Sequence, residues 1–114
     1  MRALFVELPP FERLRSAYLD DEAYRQMQVS LMTDPTAGDV IQGTGGLRKL
    51  RWTDKRRGKG KRGGLRVIYY YWISGLEFWL FTVYDKNELS DLSKKDRTTL
   101  EALLKTELKA RKLT

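Results

Sequence analysis

The chain has 114 residues, room for one domain, and its 22 Lys and Arg against 15 Asp and Glu give a formal charge of +7. It holds no Cys and no His, which excludes disulfides, Cys- or His-ligated metals, thiol nucleophiles, Ser-His-Asp triads and any histidine general base. Hydrophobic residues at 41% and aromatics at 11% are enough for a packed core, which excludes a disordered polycation.

The opening residues, MRALFVELPPFERLR, carry too short an apolar stretch for a signal peptide. No run approaches the roughly 20 apolar residues that a membrane span needs. The expectation is a single soluble, cytoplasmic domain over residues 1–114 with no membrane partner. Residues 2–8 read as a strand, with Leu4, Val6 and Leu8 on one face, ended by Pro9-Pro10. Phe11, Leu14, Tyr18 and Leu19 follow at helical spacing. Asp20 is placed to cap a second helix, with Asp21 and Glu22 in its first turn and Ala23, Tyr24, Met27 and Leu31 as its inner stripe. Asp34-Pro35 ends that helix, since the residue before proline avoids the helical region. The two helices are expected to form an αα-hairpin.

Residues 47–52 are assigned to a strand. Residues 65–73, LRVIYYYWI, form a strong strand, and Ser74-Gly75 reads as a two-residue turn into its partner at 76–84, LEFWLFTVY. Both are apolar on both faces, which places them centrally, with Tyr69, Tyr70, Tyr71, Trp72 and Trp79 in the core. Ser93 and Asp96 form a capping box for a last helix with the stripe Leu100, Leu103, Leu104 and Leu108. Its cations, from Lys94 to Arg111 and Lys112, read as a solvated outer face. The layout is β-α-α-β-β-β-α, an α+β domain with a mainly antiparallel sheet.

The charge is concentrated. Residues 48–66 hold ten basic residues and one acid, Asp54, a net of +9, while the other 95 residues sum to −2. Gly58, Gly60, Gly63 and Gly64 lie within this segment. A solvated loop and a polyanion contact both fit a bare charge run. Lys and Arg interleaved with Gly at the entry to an aromatic strand favour nucleic-acid phosphates. Closing the hairpin at Ser74-Gly75 sets Arg66 opposite Val83. Arg66, Tyr84 and Lys86 then share one end of the hairpin, with Lys86 on the far face unless a bulge or bend follows Tyr84.

RNA is cut when its own 2′-hydroxyl attacks the adjacent phosphate, and a protein helps by orienting that hydroxyl and placing cations where negative charge develops. Arginine matches phosphate oxygens with a planar fork, and a lysine among other cations becomes able to move a proton. Scattered carboxylates argue against a magnesium nuclease, so no cofactor is expected. No helix presents basic residues at groove-reading spacing, which ranks DNA binding last.

Three stretches, GTGGLRKLR at 43–51, GKGKRGGLRVIYY at 58–70 and TVYDKNELSDLSKKD at 82–96, together with YLDDEAYRQMQ, resemble the RelE/HigB-type toxins of bacterial toxin–antitoxin pairs. The run DVIQGTGGLRK at 39–49 is closest to the HigB branch. The resemblance implies a compact microbial-ribonuclease-like fold. It implies an mRNA interferase that cuts mRNA on the ribosome without a metal, and a cognate antitoxin, expected to be a helix-turn-helix protein. The toxin itself is expected to be a monomer. Residue by residue, Arg66 and Lys86 match the family's phosphate-holding positions. The proton donor is expected to be Lys86 or Lys61, and Tyr84 an aromatic or hydroxyl contributor. Arg51, Lys55, Lys59 and Arg62 fall in the stretch that follows the RNA. RelE toxins carry a catalytic tyrosine near the C-terminus; here no tyrosine follows Tyr84, and the general base stays open. The runner-up is a non-catalytic RNA- or ribosome-binding module.

Overall fold

Two apolar segments, of eight and nine residues, form the centre of the sheet. They are the fourth and fifth of its strands, β4 (Leu65–Trp72) and β5 (Glu77–Asp85), paired antiparallel. The structure is a computed structural model and describes residues 2–54 and 64–112. The other strands are β1 (Leu4–Glu7), β2 (Asp39–Val40) and β3 (Arg48–Trp52), and the order across the sheet is β1-β5-β4-β3-β2. β1 runs parallel to β5, from Leu4 opposite Glu77 to Glu7 opposite Leu80; the remaining pairs are antiparallel.

Three helices cover the sheet: α1 (Pro9–Tyr18), α2 (Asp21–Thr33) and α3 (Lys94–Lys112). Leu50, Leu65, Val67, Tyr69, Phe78, Leu80 and Val83 pack on one face with Phe11, Leu19, Met27 and Leu31 of the α1–α2 region. Ile68, Trp79, Phe81 and Tyr84 pack on the other with Leu92, Leu100 and Leu104. Alternation along β4 therefore feeds two separate cores. Among the described residues no helix is long and apolar enough to cross a membrane.

Local signals account for the helix ends. Asp20 accepts the Ala23 N–H at 2.7 Å. Ser93 Oγ accepts the Asp96 N–H at 3.0 Å while Asp96 takes the Ser93 N–H at 3.2 Å, a reciprocal cap. Pro9 and Pro10 open α1 rather than merely ending β1, because the first helical positions have no N–H bond to lose.

Several sequence expectations are corrected. β2 is an added two-residue strand, too short to show a period. Helices α1 and α2 touch through the rings of Phe11 and Tyr24, but each lies on the sheet instead of forming a self-contained hairpin. The β4–β5 link is a 3₁₀ turn, Ile73–Gly75, with Leu76 left-handed at φ 51°, not a two-residue turn. The register also shifts between Ile68 and Tyr69: Ile68 faces Thr82, Tyr69 faces Leu80, and Phe81 is the extra residue of a bulge. Arg111 does not belong to a solvated face. Its guanidinium sits 4.2 Å from the Trp79 ring centroid and pairs with Glu107 at 2.8 Å and Glu77 at 3.5 Å.

Candidate functional site

The bulge sets the geometry of the cationic end of the sheet. Beyond it, Arg66 stands opposite Tyr84 instead of Val83, and across the other ladder Arg66 faces Arg51. Directly opposed residues share a face, so Arg51, Arg66 and Tyr84 form one row across β3, β4 and β5. Lys49 faces Ile68 and has the same parity two residues back on β3. The Lys86 N–H donates to Gly64 O at 3.1 Å and prolongs the ladder by one pair. That pair gives Lys86 the parity of Tyr84, with the bend lying before Tyr84 rather than after it.

Lys86 is exposed on a tight turn. The turn is built by Asp85, whose Oδ1 accepts the Asn87 N–H at 2.8 Å and whose carbonyl accepts Glu88 N–H and Leu89 N–H at 3.0 Å. Arg66 is the opposite case, only 4% exposed, with Nη1 donating to Leu65 O at 3.0 Å. Burial draws its pKa down, Arg51 adds to the effect, and Tyr84 opposes it. Arginine nevertheless stays charged.

The Tyr84 hydroxyl is buried and, among the described residues, has no hydrogen-bond partner. Burial first, then the charge of Asp91, pushes its pKa up to about 12, with Arg66 pulling the other way. At neutral pH it is therefore a protonated donor without an acceptor among the described residues, beside Arg66, with Arg51 one strand further along the row. Such a row sets two guanidinium groups and a hydroxyl on one face at the end of the sheet, the donor types that hold an oxyanion.

Asp91 lies in the segment between β5 and α3. Its Oδ1 accepts the Leu92 N–H at 2.8 Å and lies 3.5 Å from Lys49 Nζ. The Leu92 N–H foremost, with Lys49 and Arg97, holds this carboxyl below the usual carboxylate range.

No family model matches the sequence. Among solved structures the chain is similar to an arginine-to-alanine double mutant of the E. coli toxin RelE in the free state. The two are 14% identical, with a TM-score of 0.51, and the match covers 79% of this chain and 90% of that one. This chain has a RelE-like fold. On this RelE-like sheet, four of the residues singled out in the sequence fall at one end: Arg51, Arg66, Tyr84 and Lys86. Lys55, Lys59, Lys61 and Arg62 lie outside the described residues.

The basic segment divides by face. Arg48 has the opposite parity, facing Tyr69, and its Nη1 donates to Gly38 O at 2.8 Å and Thr36 O at 3.3 Å. It ties down the loop before β2 and is taken from the charge available to a ligand. The glycines of GTGG likewise serve the β2–β3 turn, with Gly43, Gly45 and Gly46 at φ 76°, 79° and 119°. Two residues of the site went unread in the sequence. Lys49 was visible as the residue in step with Arg51. Asp91 had no signal, because Lys49 and Tyr84, which interact with it, come from β3 and β5.

Proposed function

We propose that this chain is the toxin of a toxin–antitoxin pair, of the HigB branch, and acts as a metal-independent endoribonuclease on mRNA held in the ribosome. The observation that carries the reading is the Arg51–Arg66–Tyr84 row on a RelE-like sheet. In this reading the scissile phosphate lies on that row. The 2′-oxygen attacks phosphorus, the 5′-oxygen leaves, and a 2′,3′-cyclic phosphate and a 5′-hydroxyl result. Arg66 and Arg51 hold the equatorial oxygens as charge develops, and Tyr84 donates its free hydroxyl to the same group. Lys86 or Lys61 returns a proton to the 5′-oxygen. Lys55, Lys59 and Arg62 follow the RNA backbone.

The partners are the ribosome with its mRNA and a helix-turn-helix antitoxin that keeps a monomeric toxin silent in the cytoplasm. Expression in a growing bacterium tests the reading. Wild type arrests growth and leaves new mRNA termini inside translated frames. A binding module blocks translation and leaves none, and that outcome overturns the proposal.

A further inference from the structure

The ribonuclease reading leaves one role without a residue. Something has to take the proton from the 2′-hydroxyl, and the chain has no histidine to do it. Tyr84 is protonated at neutral pH and serves as a donor. Among the nearby carboxylates, Asp54 and Asp85 are fully buried. Glu88 accepts the Tyr18 hydroxyl at 2.9 Å, and Asp96 is engaged in the cap of α3. Asp39 faces Lys49, but from β2, on the far side of β3 from Arg66.

Asp91 differs from all of these. Its side chain is 67% exposed, so a substrate can reach it. It stands between Lys49 of β3, Tyr84 of β5 and Arg97 of α3, which are the charged and titratable groups acting on it. Both of its close contacts, Leu92 N–H and Lys49 Nζ, fall on Oδ1. The carboxylate is thus oriented through one oxygen, and Oδ2, which no described residue holds, is left for a substrate hydroxyl.

We infer that Asp91 is the general base of the reaction and that Lys49 is its positioning residue. The inference rests on the ribonuclease reading above. The O2′–H bond breaks and its proton passes to Asp91 Oδ2. The O2′–P bond forms, the P–O5′ bond breaks, and O5′ takes a proton from Lys86 or Lys61. Asp91 then releases its proton to water and the lysine regains one. Charge and protons balance with no metal or oxidant.

The competing account makes the Lys49–Asp91 pair a clasp that pins the segment before α3 to β3. Single-turnover cleavage on programmed ribosomes, with ribosome Kd and Tm measured on the same proteins, separates the two. Asp91→Asn keeps an acceptor for the Leu92 N–H and loses the base. It slows cleavage at least about 100-fold, leaves Kd and Tm unchanged, and removes the acid limb of the pH–rate profile. Lys49→Met keeps the limb but moves it to higher pH, because one of the groups that favour ionised Asp91 is gone while the Leu92 N–H remains. Asp91→Glu recovers part of the rate.

Cleavage by Asp91→Asn within about threefold of wild type overturns the inference. So does a parallel fall of Tm and ribosome affinity in Asp91→Asn and Lys49→Met with unchanged cleavage per bound toxin, which is the mark of a clasp. If wild type itself leaves no new termini, the ribonuclease reading falls and takes the base with it. Wild-type cleavage with an unaffected Asp91→Asn sinks the base alone.

Discussion

Tyr69 on β4 and Tyr84 on β5 are both buried, at 0% and 7% exposure, on opposite faces of one sheet. The Tyr69 hydroxyl donates to Pro35 O at 2.8 Å and accepts the Gly38 N–H at 3.0 Å. A Cβ on Gly38 would meet the Tyr69 ring at 2.8 Å, so the loop can close on that ring only at a glycine. The Tyr84 hydroxyl has no such arrangement and lies in a row with two arginines. The difference teaches where this protein keeps its unspent capacity. The α1–α2 face satisfies its own polar groups and contributes stability. The cationic end of the α3 face holds a buried donor beside like charges, which an anion would complete.

The largest effect belongs to Arg66. Arg66→Ala should lower cleavage by roughly 10²–10³-fold, the usual loss when one oxyanion-stabilising group is removed, and should abolish growth arrest. A variant as toxic as wild type would move the site elsewhere. Next comes Tyr69→Phe, which orphans Pro35 O and Gly38 N–H together. Urea unfolding should show a loss of about 3 kcal/mol, with toxicity per folded molecule retained. Arg111→Met removes the guanidinium from Trp79 and from two carboxylates that are partly solvated. We expect about 1 kcal/mol from denaturation midpoints, since the pairs are exposed enough for water to screen them.

The smallest effect on stability belongs to Tyr84. Tyr84→Phe should change stability at neutral pH by less than about 1 kcal/mol, toward greater stability, because it removes an unpartnered hydroxyl. Cleavage should still fall. The pH dependence has a definite sign. The folded state holds the Tyr84 proton more tightly than the unfolded chain, so the stability it adds is complete below about pH 10. That stability is lost as pH rises toward the folded value of about 12. Unfolding measured at pH 8 and pH 11 should show a flatter alkaline decline for Tyr84→Phe. Tyr24 and Tyr69 are also shifted upward by burial, so part of the decline should persist. An identical decline in the variant would mean that Tyr84 is not shielded.

What the sequence made legible was local. The Asp20 cap, the Ser93–Asp96 box and the stripe Ala23, Tyr24, Met27 and Leu31 depend on residues within a turn or two of each other. The identities of Arg51, Arg66 and Tyr84 were legible too, through the basic segment and the aromatic strands. Their alignment was not, because it depends on one extra residue at Phe81 inside an otherwise regular apolar run. Nor was the place of Arg111, whose ring and carboxylate partners Trp79 and Glu77 lie more than thirty residues away in the chain. A run of terminal cations looks solvated until the sheet brings tryptophan beneath it. The RelE-like fold was legible chiefly through resemblance, since sequence pattern alone placed neither β2 nor the parallel pairing of β1.

Phe81 also gives β5 one residue to spare. Tyr69 pairs with Leu80 and Ile68 with Thr82, so a strand without Phe81 can run in unbroken register with every later pair kept. Positions 82, 84 and 86 would keep their side, and Tyr84 would stay opposite Arg66. A single-codon deletion at this position therefore leaves the cationic row in line and removes the Phe81 ring, which is fully buried on the α3 side. A deletion scan of β5 would find here a loss of stability without a loss of alignment.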